Sequence, residues 1–325
     1  MPHRDADPAA TSPSPITDVL IIGGSHAGLS AALTLYRALH TCVIFDSNKP
    51  RNNYGTATRL TPTWEHQDPE SLKNAARKEL KAAGYVRFVD AEVQRIEKTD
   101  DGLFKATDGS GVEWLGRKVI MATGSKDIFP KIPGYDALYA RGIFQCMFQF
   151  GFEQRGCESA GLLAVDGLAN VFHSTMLADD GNKFADKMTI YTNSNPALCK
   201  EISAALQTPD IVLDDRKIKA LAKGVAGSEV VIQFEDGTEK REAFIVHRPD
   251  TELDMTLVDQ LGLKVSDRGD IEVAPPFMQT NVPGVFAAGD CSTPAKIIPS
   301  AIASGAYAAC GLARELPNRV TRVAS

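Results

Sequence analysis

Asp18-Val19-Leu20-Ile21-Ile22-Gly23-Gly24-Ser25-His26-Ala27-Gly28-Leu29-Ser30 is the stretch that decides how this chain folds. A short apolar, β-rich run breaks into glycines, and Ala-rich helical sequence follows through Leu39. The pattern reads as a buried parallel strand, a tight turn and a helix N-terminus, whose free N–H groups and dipole favour a diphosphate. Gly23 permits the turn, and Gly28 lets the helix pack closely on the strand. Ser25 stands where the Gly-x-Gly-x-x-Gly pattern has its middle glycine. A second strand, Cys42-Val43-Ile44-Phe45, ends at Asp46, about 20 residues beyond the turn, where an acid can bond adenosine ribose hydroxyls. Strand, turn, helix and acid in register predict a dinucleotide site.

The rest of the composition narrows the class. A chain of 325 residues is long enough for one large or two ordinary domains. Hydrophobic content of 43% and charged content of 23% are those of an ordinary globular protein. The net charge of −6, without a basic tract, points away from nucleic acid and from anionic membranes. No apolar run approaches the roughly 20 residues needed to cross a bilayer. Met1 to Pro15 is polar and rich in Pro, Ala and Ser, so a disordered tail is expected over 1–15 rather than a signal or transit peptide. Cys42, Cys146, Cys157, Cys199, Cys291 and Cys310 are scattered without metal-ligand spacing. No metal site is expected, and reduced thiols in a cytoplasmic protein are.

Ser47 to Gly55 is a polar loop leaving a strand end, placed to run along a cofactor. Arg51 in it is either a phosphate ligand or a surface arginine in a turn. Asp68 and Pro69 predict a helix start, with the helix running to Ala83, and His66 just before it reads as structural. Strands are predicted over Val86–Thr99, Leu103–Thr107 and Lys118–Gly124, the last stopping at a glycine where backbone can approach a ligand.

The middle section looks like a second nucleotide-type unit. Ala160 to Ala169 is a strand feeding a turn, and Met188 to Thr192 is the next strand. Gly167 is the lone glycine of that turn, and Asp166 puts negative charge where a pyrophosphate would lie. Asn193-Ser194-Asn195-Pro196 stands where a basic cluster would receive a 2′-phosphate. A working nicotinamide site is therefore not expected. Near the end, Thr280 to Asp290 is a turn, a buried strand and a Gly289-Asp290 stop, followed by a small-residue helix over Ser300–Ala309. Asp290 can accept hydrogen bonds from a ribityl chain, and the helix N-terminus suits a flavin pyrimidine.

The Gly-Gly-x-x-Ala-Gly fingerprint, the Ala122-Thr123-Gly124 strand end and the Gly-x-x-x-Ala-x-Gly-Asp strand together resemble the low-molecular-weight thioredoxin reductase family. The resemblance covers nearly all of the chain beyond the first 15 residues or so. It implies an α/β fold of two Rossmann-like, three-layer ββα nucleotide-binding domains, the second inserted in the first. An FAD-binding domain is expected over 16–126 and 250–325, and a degenerate NAD(P)H-type domain over 127–249. It implies FAD contacts at Gly23, Gly24, Ser25, Gly28, Asp46, Arg51, Asn52, Thr123, Gly124, Gly289 and Asp290. Backbone at Val93 would meet the adenine, with Ser300 and Ala301 at the flavin ring. A homodimer is implied as well.

Within the family, Cys146 to Gly156 is most similar to the fungal dithiol oxidases, which close disulfides in gliotoxin-type metabolites and pass electrons through FAD to oxygen. The departure is at the redox motif, where Cys-x-x-Cys becomes Cys146-x-x-Gln149. A lone thiol cannot form the intramolecular disulfide that relays electrons. The reading that follows is an FAD-dependent oxidase of a small organic molecule, with molecular oxygen as acceptor and Cys146 and Gln149 as catalytic candidates. A thiol oxidase working through Cys146 or the flavin directly, and a flavin-binding pseudoenzyme, are the alternatives.

Overall fold

The computed structural model describes residues 16–317, so the expected tail lies outside the described residues. The chain clusters into two compact units. One takes in residues 16–50, Glu70–Ser125 and 253–317; the other is Arg51–Pro69 with Lys126–Glu252.

The first unit begins β1 (Thr17–Ile22), α1 (His26–Arg37), β2 (Cys42–Phe45), α2 (Pro69–Ala82) and β3 (Val86–Val89). It continues through β4 (Val93–Lys98), β5 (Phe104–Asp108) and β6 (Glu113–Met121). β3, β2, β1 and β6 lie side by side, all parallel, and the late strand Val285–Ala287 adds to the far side of β6. β6 also pairs antiparallel with β5 through Glu113–Gly116 before it turns parallel to β1. It therefore starts earlier than the expected Lys118. The single strand expected over Val86–Thr99 is two, because its first part joins the parallel sheet and its second joins β5.

The period of two along each strand builds the layers. Val19, Ile21, Ile44 and Ile120 face α1 and the Ile298–Ala313 helix, packing with Leu35, Ala308 and Leu312. Leu20, Ile22, Val43, Val119 and Met121 face the other way, onto Phe104, Ala106 and Trp114 of the antiparallel ribbon. Burial on both sides is why these strands read as continuous apolar runs.

The second unit repeats the plan. Strands Ile211–Asp214, Met188–Tyr191, Ala160–Leu163, Ile245–Val246 and Ile143–Phe144 form a parallel sheet in that order. Helices Met147–Gln154, Val171–Asn182 and Pro196–Ala205 cover one face. An antiparallel ribbon, Ile218–Lys223, Val230–Phe234 and Glu239–Glu242, covers the other together with Tyr135 and Tyr139. The 51–69 stretch belongs here because its side chains are fastened here. Arg51 Nη1 pairs with Asp127 at 3.2 Å, Tyr54 packs on Tyr139, and Arg59 Nη2 meets Glu153 at 3.2 Å.

His247, fully buried at the end of Ile245–Val246, holds its Nδ1 2.7 Å from the Tyr135 hydroxyl. Burial pushes its pKa down to about 4, below the roughly 6.5 of an unfolded histidine. Protonation thus favours the unfolded chain, so this group's stability is whole above pH 6.5 and is lost as pH falls toward 4. Unfolding free energies from urea titrations should fall over that window with a slope of up to about 1.4 kcal/mol per pH unit. His247→Gln should flatten the slope, and an unchanged slope would show that other groups carry it.

Candidate cofactor site and reaction helix

The turn between β1 and α1 is closed by backbone. Gly23 has φ +123°, and a Cβ there would sit 2.0 Å from the Ala122 carbonyl oxygen. A Cβ on Gly28 would sit 2.0 Å from the Gly23 oxygen, and one on Gly24 would meet Asp46 at 2.5 Å. Each glycine is there because nothing larger fits. α1 opens at His26 with Ser25 as its extended N-cap, and the serine side chain makes no capping bond. The first-turn N–H groups therefore have no side-chain acceptor of their own, the condition for binding a diphosphate.

Asp46 is buried at the end of β2 and held from several sides. The Asn48 N–H donates to Oδ1 at 2.9 Å, while Arg77 and Lys73 reach Oδ2 at 2.8 and 3.2 Å. Arg77 is itself fixed, donating to Asp90 at 2.7 Å and lying over the Phe88 ring. Neither cation was evident from the strand–turn–acid pattern. Their signal is the four-residue spacing that puts both on one face of α2.

The other expected cofactor residues of this unit sit at strand ends or helix starts. Thr123 is exposed just past β6, and Gly124 has φ +73°. Gly289 has φ +78° and donates its N–H to Ser304 Oγ at 2.9 Å, with Asp290 next in a short 3₁₀ turn. Ser300 and Ala301 lie in the first turn of Ile298–Ala313, whose N-cap, Ile297, likewise makes no side-chain bond. Val93 begins β4 and is buried. Arg51 and Asn52 belong to the other unit, Arg51 against Asp127 and Asn52 exposed.

Within this first unit, buried side-chain polar atoms without a partner include His26 Nε2 and Ser125 Oγ. Both lie just past the carboxyl ends of paired strands, β1 and β6. Open helix termini, excluded Cβ positions and orphaned polar atoms together fit a dinucleotide.

The corresponding turn of the second unit is built differently. Asp166 adopts φ +48°, and a Cβ on Gly167 would lie 2.1 Å from the Asp250 carboxylate. The helix Val171–Asn182 is capped by its own chain, since Asn170 Oδ1 accepts from the His173 N–H at 2.9 Å. The Asp250 carboxylate thus lies against the turn, and the helix end is satisfied by its own chain.

Cys146 is the N-cap of Met147–Gln154, half-buried and a free thiol. Gln149 lies one turn on, its Oε1 accepting from Gln145 Nε2 at 3.3 Å. That contact leaves the Gln149 amide nitrogen as an available kind of donor. Phe148 and Phe152, four residues apart, are exposed on the same helix. Cys157 is also free; its thiol donates to the Gln154 carbonyl, and burial pushes its pKa up, away from nucleophile character. Cys42 and Cys291 are buried, whereas Cys310 is exposed. His66 ties the 51–69 loop together, its Nδ1 3.0 Å from Arg59 Nη1. Among the described residues, no His/Cys/Asp/Glu cluster is arranged to hold a metal, and no helix is long and apolar enough to cross a membrane.

Residues 17–306 match the pyridine nucleotide-disulphide oxidoreductase family. The chain belongs to it. Thioredoxin reductase aclD of Aspergillus oryzae is 40% identical, over 93% of this chain and 97% of its own. Thioredoxin reductase sirT of Leptosphaeria maculans is 37% identical, over 93% and 95%. Among solved structures, an oxidoreductase from Agrobacterium tumefaciens superposes with a TM-score of 0.80 at 25% identity, covering 92% of this chain and 98% of its own. This pyridine nucleotide-disulphide oxidoreductase is thus an FAD-dependent enzyme with the two Rossmann-like folds of that family.

Asp46→Ala should leave Lys73 and Arg77 facing each other without their shared counter-ion and remove the acceptor at the end of β2. Loss of a hydrogen bond to a charged group is worth about 1.5–3 kcal/mol, or roughly 10- to 100-fold in FAD affinity. Flavin retained through gel filtration, measured by absorbance, checks this; retention equal to wild type would remove Asp46 from the site.

Proposed function

We propose that this enzyme oxidises a small organic, secondary-metabolite-like substrate and passes the electrons to molecular oxygen, without NAD(P)H and without a protein disulfide. The supporting observation is the closed turn of the second unit, where Asn170 caps the helix and Asp166 and Asp250 oppose an anion. The single cysteine of the Cys146-x-x-Gln149 motif supports the second half of the reading. On this reading the second unit does not deliver electrons from a nicotinamide, and no protein dithiol relays them.

FAD supplies the two-electron chemistry when bound. The chain's own residues do the rest. First-turn N–H groups of α1 would hold the diphosphate, Asp46 would accept from ribose hydroxyls and Asp290 from the ribityl chain. The N-terminus of Ile298–Ala313 favours negative charge on the pyrimidine. Gln149 orients the substrate through its amide, and Phe148 and Phe152 offer apolar contact. In balance, the substrate loses two electrons and two protons, and oxygen leaves as hydrogen peroxide. A cytoplasmic homodimer is the proposed setting.

A second reading is a thiol oxidase in which Cys146 forms a mixed disulfide with substrate. It is favoured by the position of Cys146 at a helix N-terminus, where its side chain makes no capping bond.

Anaerobic stopped-flow reduction separates these readings. NADPH should bleach the flavin slowly or not at all, and bleaching at rates matching an ordinary thioredoxin reductase would restore a reductase function. Cys146→Ser should keep much of the activity, and Gln149→Ala should lose up to roughly tenfold, as one hydrogen bond of about 0.5–1.5 kcal/mol allows. A folded, FAD-loaded Cys146→Ser variant without turnover would reverse the choice in favour of the mixed disulfide.

A further inference from the structure

We propose that His26 Nε2 donates a hydrogen bond to the diphosphate of bound FAD, so that the enzyme holds its cofactor in a proton-linked way. The fingerprint glycines make room for a diphosphate, but they carry no group that titrates near neutral pH. This chain places an imidazole among them, as the first residue of α1.

The geometry constrains what that imidazole does. Nδ1 lies 3.3 Å from the Ser25 hydroxyl. With the hydroxyl donating to Nδ1, the ring's proton sits on Nε2, which then needs an acceptor. Nε2 is shut off from solvent and has no partner among the described residues. An orphaned buried donor costs about as much as a lost hydrogen bond, so its retention at a ligand site points to the ligand as its partner. The acceptor must lie against the start of α1, where the uncapped first turn also draws an anion. A diphosphate oxygen meets both requirements, and an uncharged ribityl hydroxyl meets only the first.

The surroundings set the direction of the proton linkage. Burial holds the His26 pKa below its ordinary value in the free protein; Asp290 and Glu70 act to raise it and Lys73 to lower it. A diphosphate against Nε2 adds negative charge that favours the imidazolium. The bound-state pKa therefore lies above the free-state pKa, and FAD binding takes up a proton between the two. Affinity is greatest below that window and falls as pH rises through it. The charge-assisted bond of the imidazolium is the stronger one, consistent with that sign.

The test is FAD release on dilution of the full-length holoprotein, followed by flavin fluorescence from pH 5.5 to 8.5. It uses no substrate, so its outcome is independent of whether the enzyme is an oxidase. Wild type should release FAD more readily as pH rises. His26→Gln keeps a neutral donor and should show a flat profile, while His26→Leu should bind about tenfold or more weakly at pH 6. A wild-type profile that is flat across the range overturns the proposal even if the leucine variant fails to fold. A pH dependence that persists unchanged in folded His26→Gln overturns it as well.

Discussion

Four stretches of chain meet around Ala27 with no space for another carbon atom, and the cofactor site depends on that convergence. A Cβ on Gly305 would lie 2.2 Å from the Ala27 oxygen, and one on Gly289 would lie 2.8 Å from the Ala27 Cβ. Gly28, its neighbour, sits equally close to Gly23, which abuts Ala122. Residues near positions 23, 122, 289 and 305 are thus locked at backbone distance, bringing the ends of three parallel strands and two helices together. Each added methyl would force shifts costing about 1–3 kcal/mol. The tightness aims two helix N-termini and leaves their N–H groups for a ligand rather than for side chains.

The two units show how little the architecture alone decides. Both are parallel sheets sandwiched between helices and an antiparallel ribbon, and both run from a strand through a turn into a helix. The first helix is uncapped, whereas the second is capped by Asn170 and preceded by Asp166 in a left-handed conformation. A side-chain cap is worth about 1 kcal/mol, enough to make the second helix end self-sufficient. Function lies in such local chemistry rather than in the fold.

Much of this was legible in the sequence, and the boundary of legibility is physical. The strand–glycine–helix start, the acid after β2 and the Gly289-Asp290 strand end are local patterns, fixed by period and by turn chemistry. The lone glycine and acid at 166–167 were equally readable, and so was the missing second cysteine. What was not legible depends on pairings distant in sequence. Arg77 and Lys73 reach Asp46 from another element, and Asp250 fills the turn at Gly167 from the far side of the unit. The 51–69 loop reads as an extension of the first unit because it follows Asp46. The ion pairs of Arg51 with Asp127 and Arg59 with Glu153 and the packing of Tyr54 on Tyr139 assign it to the second. His26 stayed hidden because a histidine in a glycine turn has no sequence signature; its solvent-excluded, unpartnered Nε2 beside the uncapped start of α1 sets it apart.

These differences couple stability to chemistry unevenly along one chain. The second unit satisfies its helix end internally, and its buried polar centre, Tyr135 with His247, is likewise closed on itself on one side. The first unit leaves α1 and Ile298–Ala313 without a side-chain cap, and His26 Nε2 without a partner among the described residues. A ligand at a hundred times its dissociation constant stabilises its host by about 2.7 kcal/mol, and that increment falls only on the unit that binds.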